Sequence, residues 1–230
     1  MSAQLMSSYN SSSTNESHRG KVITSHDDPK NLYFARKAYE TDNALSYWYA
    51  LRVTYGREIE ARDVFIAKGI ESFVPMQYDF VIKPDGSRVY ELIPATHNLL
   101  FVYSSYNIID ELKKSTPLCD ILRYIKKHGM EGNLTPKSKL YMTVRNADMK
   151  NFLRVAHQME DVIYLNYEKA KNIEGQPVRI VEGNMAGTKG VLKRIGKNKQ
   201  VVVELPGFRL ICCPKYISKN MIEIDRSDNL

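Results

Sequence analysis

Two hydrophobic periods run along this chain, and the change from one to the other falls near residue 160. In the first region strand-like and helix-like segments alternate. "YWYALRV" at residues 47–53 is an aromatic and β-branched run that predicts a buried strand, broken by Gly56. Ala61, Val64, Phe65 and Lys68 then recur at helical spacing, and Gly69 supplies a stop. "ESFVPMQYDFVI" predicts a second strand, "KPDGS" a turn, and "RVYELIP" an antiparallel return that closes a hairpin. After a kink at Pro94, "NLLFVYSS" predicts another buried strand. "NIIDELKKS" predicts a short helix whose terminal lysines suit its dipole, and "CDILRYI" and "KLYMTV" are strand-like. With Asn146 as N-cap, Met149, Phe152, Leu153, Ala156 and Met159 fall on one helical face.

Residues 161–173 follow neither period and are expected to form a linker. Beyond them come five short strand-like runs, "PVRIVEG", "GVLKRIG", "QVVVELPG", "FRLICCPK" and "MIEI", separated by Gly, Pro and Lys turns. The expected fold class is therefore α+β, with an antiparallel sheet flanked by helices followed by a small five-stranded β-barrel. The domain plan has four parts. Residues 1–44 are a Ser- and Asn-rich tail, disordered and partly helical around "PKNLYFARKAYE". Residues 45–160 form the first domain, 161–173 the linker and 174–226 the barrel.

The segment "EGNMAGTKGVLKRIGKNKQVVVELPG" sets glycines among strand formers, where each is unfavourable by roughly 0.5–1 kcal/mol relative to Ala. Turns and close backbone crossings are where that sacrifice makes sense. Gly183 and Gly187 are thus placed in the first turn of the barrel, and Gly190 at a tight crossing at the start of its second strand. A phosphate-cradling loop is excluded by motif, since no helix follows the glycines and no G-K-[ST] ends them.

Charge adds a bias without naming a partner. The formal net charge is +7. Residues 1–43 carry five basic and five acidic side chains, residues 44–160 carry 16 against 13, and residues 161–230 carry 12 against eight. The excess lies in the folded parts and is densest near the glycines, where Lys189, Lys193, Arg194, Lys197 and Lys199 crowd together. This cluster is either a nucleic-acid or acidic-protein contact or a lysine-solubilised turn. No aromatic is interleaved with it, so stacking on single strands is not expected there.

Catalytic and metal chemistry find no foothold. The histidines (His18, His26, His97, His128 and His157) are scattered, no Ser or Cys sits in a nucleophile elbow, and no carboxylate pair stands out. Cys119, Cys212 and Cys213 have no metal-ligand spacing, and all three are expected to be reduced, small apolar residues. No apolar run approaches the ~20 residues of a membrane span and no secretory signal is evident. The expectation is a cytoplasmic, non-enzymatic protein without membrane contact, cofactor or metal.

"PVRIVEGNMAGTKGVLKRI", residues 177–195, resembles the KOW motif of NusG-type transcription factors and several ribosomal proteins. The order "WYALRV", helix, "FVP", "NLLFV", helix, strand, helix resembles the NusG N-terminal (NGN) domain, so the likeness covers about residues 46 to 225. That family usually has Pro-Gly-Tyr ahead of Phe-Val, where this chain has His97-Asn98-Leu99. With the tail and the longer "KPDGSRVYEL" hairpin, the chain is most similar to specialised UpxY-type antiterminators of capsular polysaccharide operons.

The resemblance implies binding to the clamp helices of RNA polymerase through an apolar depression on the sheet. The matching positions are Trp48, Tyr49 and Leu51 from the first strand, Phe73, Val74 and Pro75 from the second, and Leu99, Leu100 and Phe101 from the central strand. Strand alternation lets about half of them face the polymerase, with the rest beneath the helices. A glutamate at whichever of Phe73 and Leu99 faces solvent is expected to abolish binding and keep the fold. Arg52, Arg57, Arg62, Lys83 and Arg88 are candidates to touch non-template DNA, or else a solvated charge pattern. Nascent RNA is a further implied contact, and Rho or a ribosomal protein are implied partners of the barrel. The function implied is antitermination during elongation. Two alternatives stay open: an RNA- or ribosome-binding KOW protein, and a general NusG that promotes Rho-dependent termination.

Overall fold

The computed structural model describes residues 46–226 apart from Tyr55 and residues 116–117, 128–136 and 159–160. The expected tail at 1–44 and the helix-face residue Met159 lie outside the described residues. The first unit contains β1 (Tyr47–Val53), α1 (Glu58–Ala67), β2 (Glu71–Phe73), β3 (Met76–Ile82), β4 (Arg88–Pro94) and β5 (Leu99–Ser104). It continues with α2 (Tyr106–Lys114), β6 (Leu122–Tyr124), α3 (Lys137–Leu140), β7 (Thr143–Val144) and α4 (Asn146–Ala156).

Its main sheet has the order β2-β5-β1-β6, with β7 also paired to β1. Antiparallel register sets Trp48 opposite Tyr103 and Ala50 opposite Phe101. Alternation then sorts the side chains. Tyr49, Leu51, Val53, Leu100 and Val102 pack with Ala61 and Phe65 of α1 and Ile109 of α2. Trp48, Ala50, Phe73, Leu99, Phe101 and Tyr103 occupy the other face. Both faces are buried, and each fully buried large apolar side chain contributes about 1.5–3 kcal/mol.

Several local expectations shift by a few residues. "ESFVPMQYDFVI" breaks at Val74–Pro75: β2 pairs with β5, while β3 pairs with β4 in a separate two-stranded hairpin. Proline has no N–H to give a ladder, so a strand crossing it changes partner there. Residues 118–121 form a turn before β6, and "KLYMTV" begins in the short α3 before reaching β7. Arg145 occupies the N-cap position of α4 without a side-chain cap hydrogen bond, which leaves Asn146 as the first helical residue. Asn98 has φ of 64, a left-handed conformation that Asn tolerates better than most residues. Its N–H donates to Glu58 Oε1 at 2.7 Å, which explains a carboxylate only 2% exposed at the start of α1. The His97-Asn98-Leu99 departure therefore keeps the backbone geometry that glycine otherwise provides.

The second unit is a six-stranded antiparallel sheet in the order β13-β9-β10-β11-β12-β8. The five expected strands are β9 (Gly175–Ile180), β10 (Lys189–Ile195), β11 (Asn198–Leu205), β12 (Leu210–Pro214) and β13 (Ile222–Ile224). The sixth, β8 (Val162–Leu165), pairs with β12 and is followed by α5 (Tyr167–Ala170), whose Ala170 is buried. The proposed linker is thus corrected: much of 161–173 is an edge strand and a helical turn of the second unit.

Gly183 and Gly187 have φ of 79 and 82 in the turn between β9 and β10. A Cβ on Gly190 would stand 2.8 Å from Val201 Cγ1 and 2.8 Å from the Val202 carbonyl oxygen, so the crossing there leaves no room for a side chain.

The two units share one apolar core. Met149, Phe152, Leu153 and Ala156 of α4 lie in the same buried cluster as Trp48, Phe73 and Phe101 of the first sheet and Val203, Leu205, Leu210 and Cys212 of the second.

Candidate partner-binding face

All nine residues proposed to meet the polymerase are buried. Tyr49, Leu51, Val74 and Leu100 face α1 and α2, and Pro75 is buried at the break between β2 and β3. Trp48, Phe73, Leu99 and Phe101 share the opposite face and are 2%, 2%, 9% and 0% exposed. The expectation that half of the set meets solvent is therefore corrected. Alternation divides the residues as predicted, but the second face has a roof.

Helix α4 and the second sheet form that roof. Phe208 stands edge-on to Phe101 with ring centroids 5.4 Å apart. His157, just past α4, stands edge-on to Phe73 at 5.6 Å. Trp48 lies against Tyr103 at 5.4 Å. At the rim, Asn151 Nδ2 donates to the Lys189 carbonyl at 2.6 Å, and the Lys189 N–H donates to Asn151 Oδ1 at 2.7 Å. Arg154 Nη1 donates to the Gly187 carbonyl at 3.1 Å. The glycine turn of the second sheet is thus held by α4 of the first unit. A glutamate at Phe73 would enter a closed apolar layer, so the fold-neutral outcome expected for that substitution is also corrected.

The cationic candidates separate by environment. Arg62 is 5% exposed and pairs with Asp63 Oδ1 at 3.0 Å, which removes it from any external contact. Arg57 pairs with Glu60 at 2.6 Å, and Lys83 with Glu91 at 2.8 Å across the hairpin. Arg88 lies 4.2 Å over the Phe80 ring. Arg52 is exposed and opposite Arg123 in register. In the second unit, Lys189 pairs with Asp225 at 3.1 Å, and Lys193 donates to the Ala170 carbonyl at 3.0 Å. Arg194, Lys197 and Lys199 are exposed.

Sequence spacing missed two aromatic features. On the β3–β4 hairpin, Phe80 and Tyr90 are 52% and 42% exposed with centroids 4.9 Å apart, because β3 and β4 pair only with each other. Beside the basic turn, Tyr216 is 83% exposed and lines the same concavity as Arg194, Lys197 and Lys199. An aromatic therefore does accompany that cluster, delivered by tertiary contact from about twenty residues downstream.

Burial pushes the Cys212 thiol well up and Cys213 up to about 11, so both stay protonated and unreactive at neutral pH. Burial, reinforced by Asp110, raises Tyr106 to about 12, within a stack in which the Tyr124 and Tyr141 rings lie 4.1 Å apart. Among the described residues there is no group of His, Cys, Asp or Glu able to hold a metal ion, and no helix long and apolar enough to cross a membrane.

A two-faced antiparallel sheet with its helices and a β-rich companion defines an α+β protein of two packed units. Residues 46–153 match the NusG family, described as Transcription termination factor nusG. The matched stretch falls just short of half of the chain, and it is this part that is similar to that family. No curated protein matches the chain.

Proposed function

We propose that this protein is an antitermination factor that grips the clamp helices of RNA polymerase with the sheet face formed by Trp48, Phe73, Leu99 and Phe101. The structure described above is then its closed form, in which the KOW-type second sheet sits where the polymerase would dock. The observation that carries the reading is the burial of this face of a NusG-family domain beneath Leu205, Phe208, Leu210 and Cys212 of another unit. Binding polymerase requires that roof to move. A factor that binds the processive state of the enzyme better than its paused state shifts the population toward processivity. The UpxY-type likeness supports a polysaccharide biosynthesis operon as the target, with Arg52 and the hairpin cations Lys83 and Arg88 as the proposed contacts to DNA phosphates, Lys83 on giving up Glu91.

In vitro transcription through a terminator, with and without Rho, tests the outcome. Readthrough is expected. Increased termination would indicate a general NusG, and an absence of any effect together with RNA retention would indicate a ribosomal-type KOW protein. Co-retention with polymerase tests the face: Phe73→Ala is expected to lose it while unfolding remains cooperative. Retention of that variant at wild-type levels would remove the face from the reading.

A further inference from the structure

We propose that the second sheet is a receptor for a small amphiphilic anion, an acyl-sized apolar body bearing one carboxylate or phosphate head. The site is the concavity between β9, β10, β13 and the segment from Pro214 to Met221. It measures about 1110 Å³, at the upper end of the roughly 300–1,000 Å³ usual for small-molecule sites. The topology explains why it is hollow. Strands β13 and β8 stand at opposite ends of the ladder, and a sheet left open in this way keeps a space that a small closed barrel fills with side chains. None of Leu205, Phe208, Leu210 or Cys212, which roof the first sheet, lines it. The inference is therefore independent of the polymerase reading.

Register sorts the lining into an apolar floor and a charged mouth. Leu192 stands opposite Val201 and Gln176, and Ile224 stands opposite Val178, two residues on from Gln176. These side chains share one face of the sheet. Val178 and Val201 are buried, Leu192, Ile217 and Ile222 pack against them from partly exposed positions, and Ile224 is 54% exposed. Two residues beyond Leu192, the same face ends in Arg194, directly opposite Lys199. Like charges so placed are unfavourable, and an anion between them turns the repulsion into charge-assisted hydrogen bonds. Lys197, Lys215 and Lys219 bring the lining to five cations against one carboxylate, Glu223. The outer wall is pinned at both ends. The Lys215 N–H donates to the Asp161 carbonyl at 2.6 Å, and the Val181 N–H donates to the Met221 carbonyl at 2.9 Å. A site held in this way spends little of its affinity on ordering.

Chemistry selects the ligand. A free inorganic anion would engage the cations and leave Leu192, Ile217 and Ile222 wet. A neutral lipid would cover the floor and leave Arg194 facing Lys199. The charges of a polyanion recur along its length, and an apolar floor offers them nothing. One head at the Arg194–Lys199 mouth with an apolar body over the floor engages both, and Tyr216, 83% exposed at the lip, can cover the body from outside.

The test is isothermal titration calorimetry of the full chain with octanoate, decanoate and dodecanoate below their micelle concentrations. Dodecyl phosphate, 1-decanol, acetate and inorganic phosphate are the comparison ligands. Dodecanoate is expected to bind one to one, and affinity should fall about tenfold for every two carbons removed, from the loss of two buried methylenes. Dodecyl phosphate should bind at least as tightly as dodecanoate, and which of the two is tighter distinguishes a phosphate from a carboxylate head. Acetate and inorganic phosphate should give no heat of binding. Lys199→Gln is expected to weaken decanoate about tenfold and leave 1-decanol unchanged, since a hydrogen bond to a charged group is of that order. Ile224→Ser should weaken both severalfold. Both positions are exposed, so thermal unfolding of these variants should match wild type, which separates lost binding from lost fold. Affinity independent of chain length would overturn the proposal, as would inorganic phosphate binding as tightly as dodecyl phosphate. Decanoate binding that survives Lys199→Gln unchanged would overturn it too. Phe73→Ala should retain dodecanoate, so failure of the polymerase reading and failure of this one are told apart.

Discussion

Weakening the seam between the two units should increase polymerase binding, and the structure gives the size of the effect. The perturbation is Phe208→Ala combined with Asn151→Ala. Phe208 is half-buried and meets Phe101 edge-on at 5.4 Å, while Asn151 makes two hydrogen bonds to the Lys189 backbone. Removing a fully buried Phe is unfavourable by about 3–5 kcal/mol, so about 2 kcal/mol suits a half-buried one. Each hydrogen bond contributes a net of about 0.5–1.5 kcal/mol, and the exposed pair is taken at the low end, for about 1 kcal/mol together. A total of about 3 kcal/mol shifts the closed-to-open ratio by roughly 100-fold at ~1.4 kcal/mol per decade. Apparent affinity scales with the competent fraction, so binding should tighten by up to that factor while the open form remains a minority. The assay is equilibrium binding to RNA polymerase, with Cys212 labelling as an independent report of opening. Faster labelling with unchanged polymerase affinity would refute the reasoning, since the seam would then have opened without uncovering the docking face.

Other consequences are as direct. Thiol reagents should modify partly exposed Cys119 quickly and buried Cys212 and Cys213 slowly in the closed protein, with Cys212 accelerating on polymerase binding; mass spectrometry of labelled peptides reads this. Gly190→Ala should destabilise by about 1–3 kcal/mol, because a Cβ would meet the Val202 carbonyl oxygen. Gly196→Ala, at φ of 62 with open space around it, should be unfavourable by about 1 kcal/mol from backbone strain alone; urea melts compare the two. Burial raises the folded-state pKa of Tyr106 to about 12, above the ordinary 10.0, so the stabilisation is intact below pH ~10 and is lost between ~10 and ~12. Tyr106→Phe should flatten that alkaline loss in unfolding experiments, and an unchanged alkaline slope would show that burial of this phenol does not contribute.

The sequence made the order of elements legible because most segments carry a strong period between clear breakers. Strands β1 and β5, helix α2 and the buried face of α4 all fall where their apolar spacing puts them. Strand β8 was overlooked because four residues are too few to establish a period, although Val162, Ile163, Tyr164 and Leu165 are all strand formers. The partner change at Val74–Pro75 was announced by the proline, yet a uniform apolar run concealed it. What spacing alone did not reveal was the roof. Still, the clue was present in "VVVEL" and "LICCP", where consecutive residues are buried instead of alternating. A strand buried on successive positions has a cover on both faces. Val203 and Cys212 meet the shared core, while Val202 and Cys213 meet Ala170 and Ile211.

That two-sided burial brings the glycine turn and the covered face of the first sheet into one packed assembly. The turn must be glycine-rich to bend between β9 and β10, and its bent backbone presents the Gly187 carbonyl and the Lys189 amide and carbonyl to α4. These are main-chain groups, so no side-chain change in the turn can remove them without altering its path. Gly187→Ala would do so: its φ of 82 disfavours any Cβ, and the Arg154 guanidinium lies 3.6 Å from where one would be. The strain expected is about 1–2 kcal/mol, and it falls on the latch as well as on the second sheet. The variant should therefore raise polymerase binding and Cys212 labelling together, beyond what its loss of stability predicts from Gly196→Ala. If Gly187→Ala lowered stability as Gly196→Ala does but left labelling unchanged, the turn would shape the second sheet alone and have no part in holding the face closed.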